Sequence, residues 1–167
     1  MHMELYYATT YSSWEYRQIL IGVYVTQEIA KRELLKSLNK YDNDFKDEYV
    51  DALMEEGELE LFENKIYFGK KEVEGNPKKV CLVVSNYVDY GGLESIIMCS
   101  SRKEITQYCK EMAEVEEYCE DPDDPKMVNA KAKEMKKDLL EGYCYSNPIN
   151  GDPVKVYLTD FITIKMK

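Results

Sequence analysis

The chain is nearly without histidine: the only one is His2, next to the first methionine. That argues against imidazole-based catalytic triads and imidazole metal sites. A glycine-rich phosphate loop is missing too. Gly91-Gly92 is a pair of turn glycines between two strand-like runs. No apolar run approaches the ~20 residues of a membrane-spanning helix. The opening residues, Met1-His2-Met3-Glu4, show no basic region followed by an apolar stretch, so the expectation is a cytoplasmic protein with no membrane partner. Positive charge is scarce: 22 Lys and Arg stand against 32 Asp and Glu, for a net charge of −10. Such a chain repels nucleic acid and anionic membranes, which argues against direct nucleic-acid binding. Basic proteins, including those that bind nucleic acid, stay open as partners.

Cysteines do not pair by spacing. There are 5, an odd number, and no Cys-x-x-Cys. Cys81, Cys99 and Cys109 fall in expected strand or helix interiors, and they read as small buried hydrophobes of a reducing compartment. Phenylalanine is also sparse, 4 residues against 15 tyrosines. Tyrosine suits half-wet sheet faces and adaptable contact surfaces. Hydrophobic residues make up 44% of the chain, enough for a real core.

What is present reads as one pattern written twice. Leu5–Thr10 and Gln18–Thr26 are strand-like, joined by Tyr11-Ser12-Ser13-Trp14-Glu15. Lys79–Ser85 and Leu93–Ser100 repeat them, and a two-residue gap aligns Tyr11 with Tyr87 and Tyr16 with Tyr90. Each pair leads into two helical segments. In the first copy Thr26 caps a helix with the stripe Ala30, Leu34, Leu38, Tyr41. A second helix over 44–56 aligns Phe45, Tyr49, Ala52 and Leu53, and Gly57 stops it. In the second copy Ser101-Arg102-Lys103-Glu104 is a capping box, opening the stripe Ile105, Tyr108, Cys109, Met112, Val115. Asp124 and Pro125 then start a helix with the stripe Val128, Ala132, Met135, Leu139, ended by Gly142.

Two strands close each copy. Glu58–Glu63 alternates and turns into Lys65-Ile66-Tyr67-Phe68, which matches Lys155-Val156-Tyr157-Leu158. The last strand is predicted to be long, with Val154, Val156, Leu158, Ile162, Ile164 and Met166 on one face. The fold class is therefore α+β: two related strand-strand-helix-helix-strand-strand modules, 1–76 and 77–167, with antiparallel sheets and helices on one face. Glu74-Gly75-Asn76-Pro77 marks the boundary.

The stretches Tyr7–Ala30 and Val83–Ile105 resemble small uncharacterised proteins of bacteriophages and other mobile elements. Those open with a strand, a short Ser/Tyr connection, a second strand and a Glu/Ala-rich helix. Gly22-Val23-Tyr24-Val25-Thr26 and Ser85-Asn86-Tyr87-Val88-Asp89-Tyr90 carry the likeness, while Ile97-Met98-Cys99-Ser100 departs from it. The resemblance implies a phage origin and a bacterial host. It brings no activity and no catalytic residue.

Two surfaces are candidates for contact. One is the aromatic connections: Tyr11, Trp14, Glu15 and Tyr16 with Tyr87, Asp89 and Tyr90. Loops carry contact residues and Trp and Tyr dominate hot spots, although the same rings serve equally to pack the halves. The other is the acidic tract Glu116, Glu117, Glu120, Asp121, Asp123, Asp124, read either as phosphate mimicry or as a solvated helix end. It is not a calcium loop, because counting from Asp121 its sixth position is Lys126 and its twelfth Ala132. No metal and no cofactor is expected. The favoured function is a non-enzymatic acidic binding protein, an inhibitor of a host nucleic-acid-directed defence system acting on a host protein. The alternative is a small-molecule or nucleotide binder with a tyrosine-lined pocket between the modules. The residues set no oligomeric state.

Overall fold

The computed structural model describes residues 1–12, 17–40, 47–61, 64–88, 92–115, 119–146 and 152–167. In chain order the elements are β1 (His2–Ser12), β2 (Arg17–Tyr24), α1 (Gln27–Asn39), α2 (Asp47–Glu56), β3 (Glu58–Leu61) and β4 (Asn64–Glu74). They continue with β5 (Lys79–Tyr87), β6 (Leu93–Cys99), α3 (Arg102–Ala113), α4 (Pro125–Glu141), β7 (Tyr143–Ser146), β8 (Val154–Leu158) and β9 (Ile162–Thr163). The protein is α+β, with antiparallel pairing throughout the two sheets. Strand order is β2-β1-β4-β3 in one and β6-β5-β8-β7 in the other, with β9 beside β5. Apart from β9, the two halves of the chain show the same element order and the same strand order. Among the described residues no helix is long and apolar enough to cross a membrane. Residue contacts divide the chain into Met1–Val80 with Asp160–Lys167, and Cys81–Thr159.

In the first unit β1 is the centre, pairing β2 on one side and β4 on the other. Local signals set the helix starts. Thr26 Oγ1 accepts the Ile29 N–H at 3.1 Å, satisfying a donor that the first turn leaves open. The α1 stripe Ala30, Leu34, Leu38 is buried as its spacing predicts, and it packs with Ala8, Tyr24 and Ile66 of the sheet. Tyr41, Asp44 and Phe45 lie outside the described residues.

For α2 the expected stripe is corrected. The helix buries Val50 and Leu53 and half-buries Met54, whereas Tyr49 is 41% exposed. Val50, Leu53 and Met54 stand at i, i+3 and i+4, a tighter apolar face than the one through Tyr49 and Ala52. Gly57 ends the helix at φ 80, its N–H donating to Leu53 O at 2.8 Å. Its own carbonyl accepts the Phe68 N–H at 2.8 Å, so one residue closes the helix and starts the β3–β4 ladder.

Two glycines have ring-shaped neighbours. Gly69 stands directly opposite Tyr7, and a Cβ there would lie 2.7 Å from the Tyr7 Cζ. On β2, a Cβ at Gly22 would lie 2.6 Å from the Tyr24 Cζ, two residues on. Each ring covers a bare stretch of backbone, which explains part of the tyrosine bias.

The second unit centres on β5, whose Val80–Asn86 run is buried on both faces. Asn86 is buried, accepts from the Tyr157 hydroxyl and donates its amide to Gly92 O at 3.4 Å. The capping box forms with a shift of one residue. Ser101 Oγ accepts the Glu104 N–H at 3.3 Å, but the Glu104 carboxylate takes the Ser100 hydroxyl at 2.6 Å, and the Ser100 N–H as well. In α3 the buried set is Ile105, Tyr108, Cys109 and Ala113, while Val115, past the helix end, is 39% exposed. All four residues of the α4 stripe are buried. Each large one removed from water contributes about 1.5–3 kcal/mol.

The long final strand is also corrected. It breaks after Leu158, where Thr159 brackets Leu82: its N–H donates to Leu82 O and its Oγ1 accepts the Leu82 N–H, both at 2.9 Å. The remaining tail joins the first unit. Ile162 and Thr163 pair with Val80 and Lys79, the Lys165 N–H donates to Val23 O at 2.8 Å, and Ile164 is buried. Met166 is exposed rather than on a shared buried face.

All five cysteines are free and buried. Cys81 faces Cys99 across the β5–β6 ladder, and both share a core with Cys109 and Cys144. Burial pushes the Cys81 and Cys144 thiols up to about 11 and, with the neighbouring Cys81, the Cys99 thiol up to about 12.

Two outcomes follow from this packing. Gly69→Ala should destabilise the protein by about 1–3 kcal/mol in urea unfolding, since the buried Tyr7 ring must shift to admit the methyl group. Stability should also fall as pH rises above about 9. A raised native thiol pKa means the native state keeps protons that the unfolded state sheds, so stability is full below the unfolded value and is lost through the native one. Each such thiol adds a slope of up to about 1.4 kcal/mol per pH unit. Urea midpoints at pH 8 and 10 should show the loss, and Cys99→Ala should reduce the slope whatever it does to the midpoint itself.

Candidate functional site

Of the aromatic connections, Trp14, Glu15, Tyr16, Asp89 and Tyr90 lie outside the described residues. Tyr11 sits near the end of β1, opposite Gln18, and is half-buried. Tyr87 ends β5, opposite Val154, and its N–H donates to Gly92 O at 2.8 Å. Its side chain packs against the core that Cys81, Ile105 and Leu139 form.

In the acidic tract Glu116 and Glu117 lie outside the described residues, and Glu120, Asp121 and Asp123 are exposed. Two of the carboxylates work locally. Asp121 Oδ1 accepts the Asp123 N–H at 3.2 Å, while Asp121 O accepts the Asp124 N–H at 3.2 Å. Asp124 Oδ1 accepts the Lys126 N–H at 3.0 Å and caps α4, with Pro125 at its first position. This loop is built as a turn and a cap. Among the described residues no group of His, Cys, Asp and Glu is placed to hold a metal ion.

A stronger acidic surface stands elsewhere. On α2 the residues Asp47, Glu48, Asp51, Glu55 and Glu56 are all exposed, and the helix has no Lys or Arg. Beside it lies a shallow groove of about 430 Å³ lined by Gln27, Glu28, Lys31, Asp51, Met54 and Glu55. One ion pair enters it, Lys31 Nζ to Asp51 Oδ1 at 2.8 Å, and the Asp51 hydrogen bond raises the Lys31 pKa. The signal was present in Asp47-Glu48-Tyr49-Val50-Asp51-Ala52-Leu53-Met54-Glu55-Glu56: once Val50, Leu53 and Met54 take the core side, every carboxylate turns outward.

The outer strands β3 and β7 occupy equivalent places and differ in chemistry. Glu58 and Glu60 of β3 face Tyr67 and Lys65, and Lys65 Nζ lies 3.2 Å from Glu58 Oε2. Tyr143 and Tyr145 of β7 face Tyr157 and Lys155 in the same register. There the Lys155 ammonium lies 4.5 Å from the Tyr143 ring centre and 5.9 Å from that of Tyr157. The Tyr143 and Tyr145 rings meet edge-to-face at 5.1 Å. Lys65 thus has a carboxylate beside it as well as the Tyr67 ring at 5.6 Å, while Lys155 lies over two rings.

No protein-family model, curated protein or solved structure gives a significant match to this chain. The likeness to phage proteins rests on the quoted residues alone.

Asp124 should behave differently from Asp123. Asp124→Ala should lower stability by about 1 kcal/mol through loss of the α4 cap. Asp123→Ala, at an exposed site, should change it by less than about 0.5 kcal/mol. Urea unfolding of both variants measures the contrast, and equal midpoints would remove the capping role.

Proposed function

We propose that this chain is a non-enzymatic acidic binding protein of phage or mobile-element type, acting in the cytoplasm of a bacterial host. It inhibits a nucleic-acid-directed defence system by occupying the basic surface of a host protein. The observation that carries this reading is the exposed face of α2, where Asp47, Glu48, Asp51, Glu55 and Glu56 stand on a helix without one basic residue. A basic groove made for phosphates meets on that face a row of carboxylates held by a packed helix. The net charge of −10 adds long-range attraction to such a partner. The groove beside α2 offers the Met54 side chain to the stem of an arriving Arg or Lys and carboxylates to its head. Glu120 and Asp123 extend the acidic character on the other unit.

Capture of host proteins on the immobilised chain, followed by binding kinetics on the purified partner, tests the reading. Salt screens exposed charges beyond about 10 Å at 0.1 M. Affinity should fall steeply from low to moderate salt, mainly through a slower on-rate. Replacing Asp47, Glu48, Glu55 and Glu56 by Asn and Gln should reproduce that loss with the fold intact. Replacing Trp14 and Tyr16 should instead speed dissociation. A partner whose binding ignores both salt and the α2 substitutions would refute the charge-led mode.

A further inference from the structure

We propose that β7 is a self-pairing edge through which two copies of this chain join their second sheets antiparallel. The inference is independent of the host partner proposed above.

Leu82 and Thr159 bond to each other, the Thr159 N–H to Leu82 O and the Leu82 N–H to Thr159 Oγ1. Even-numbered residues of β5 therefore turn their main-chain groups toward β8, and Val84 pairs with Tyr157 in that sense. Alternation then turns Val154 and Val156 toward β7, where they stand opposite Ser146 and Cys144. Tyr143 and Tyr145 are left with their N–H and C=O groups facing away from the sheet. Among the described residues no strand pairs with β7 on that side.

The counterpart strand shows what a guarded edge looks like. On β3 the residues at the two outward-facing positions are Glu58 and Glu60. Charged side chains there repel an incoming strand. On β7 the same positions hold tyrosines, 48% and 55% exposed, and the four-residue strand has no charge. The protection used in one unit is removed in the other.

Self-complementarity selects the occupant. Two identical strands pair antiparallel about a two-fold axis at Cys144, so Tyr143 of one copy stands opposite Tyr145 of the other, and the reverse. The four outward main-chain groups of each copy meet their complements. The edge-to-face ring pair, already at 5.1 Å within one copy, becomes a cluster of four on one face. Charge favours the same place. The chain is strongly acidic, yet this strand's cross-strand neighbour is the Lys155 ammonium, held over the Tyr143 ring. Copies that repel elsewhere meet there along a strand that itself carries no carboxylate.

Sedimentation equilibrium of the full chain across the micromolar range tests this, with hydrogen exchange beside it. The wild-type chain should sediment as a dimer, with the Tyr143 and Tyr145 amides protected. The double variant Tyr143→Glu and Tyr145→Glu, which copies the β3 edge, should weaken self-association about 100-fold or more at unchanged circular dichroism. Tyr145→Phe should remain dimeric. A monomeric wild-type chain, as expected if the edge serves only another protein's strand, would overturn the proposal. So would a double variant that still dimerises. A wild-type dimer in which those two amides exchange as open-edge amides do would overturn it without any variant having to fold.

Discussion

Each sheet depends on one central antiparallel ladder. β1 pairs with β4 along nearly their whole length, and β5 pairs with β8. Everything between leaves from that central ladder and returns to it. Such a ladder joins residues far apart in sequence, so its closure entropy must be recovered by burial. The helices supply that burial: α1 and α2 place Leu34, Leu38, Val50 and Leu53 on Ala8 and Ile66, and α3 and α4 place Ile105, Tyr108, Met135 and Leu139 on Val83 and Val156. The hairpin strands β2, β3, β6 and β7 then fall at the outer positions, where their side chains need not be apolar. The chemical freedom of the molecule is concentrated there and on the outer faces of the helices.

The central ladder also explains where tyrosine is used. Gly69 and Gly22 bring bare backbone into well-packed sheet positions, and the rings of Tyr7 and Tyr24 fill the space. Burial raises the pKa of both phenols, which fixes them as neutral packing groups over the whole working range. Tyr157 is buried with its hydroxyl on Asn86. Tyr143 and Tyr145 are the contrasting case, with rings in solvent at a sheet edge. One residue type thus serves two purposes, and its count alone separates neither.

Local chemistry was legible in the sequence. The caps at Thr26, Ser101 and Asp124, the stop at Gly57 and the α4 stripe each depend on residues within one or two turns of one another, and each is present. The matched Lys65–Phe68 and Lys155–Leu158 segments occupy equivalent strands in the two sheets. What escaped was set by distance or by hydrogen bonding. The break at Thr159 depends on Leu82, far back in the chain. The face of α2 turned because Val50, Leu53 and Met54 pack better than Tyr49 and Ala52, a choice the sheet beneath makes. A count of carboxylates in the acidic loop does not show that Asp121 and Asp124 are engaged by backbone N–H groups.

The tail Asp160–Lys167 belongs with Met1–Val80, although the whole of Cys81–Thr159 lies between them in the chain. During synthesis the first unit emerges early and stays incomplete. Until residues 160–167 leave the ribosome, Val23 and Val25 lack the main-chain partners that Lys165 provides, and the place of Ile164 is empty. The second unit has every one of its strands before that moment. The unit that is begun first is completed only after the other has been made, so a chain cut short before residue 160 leaves its opening strands unsealed.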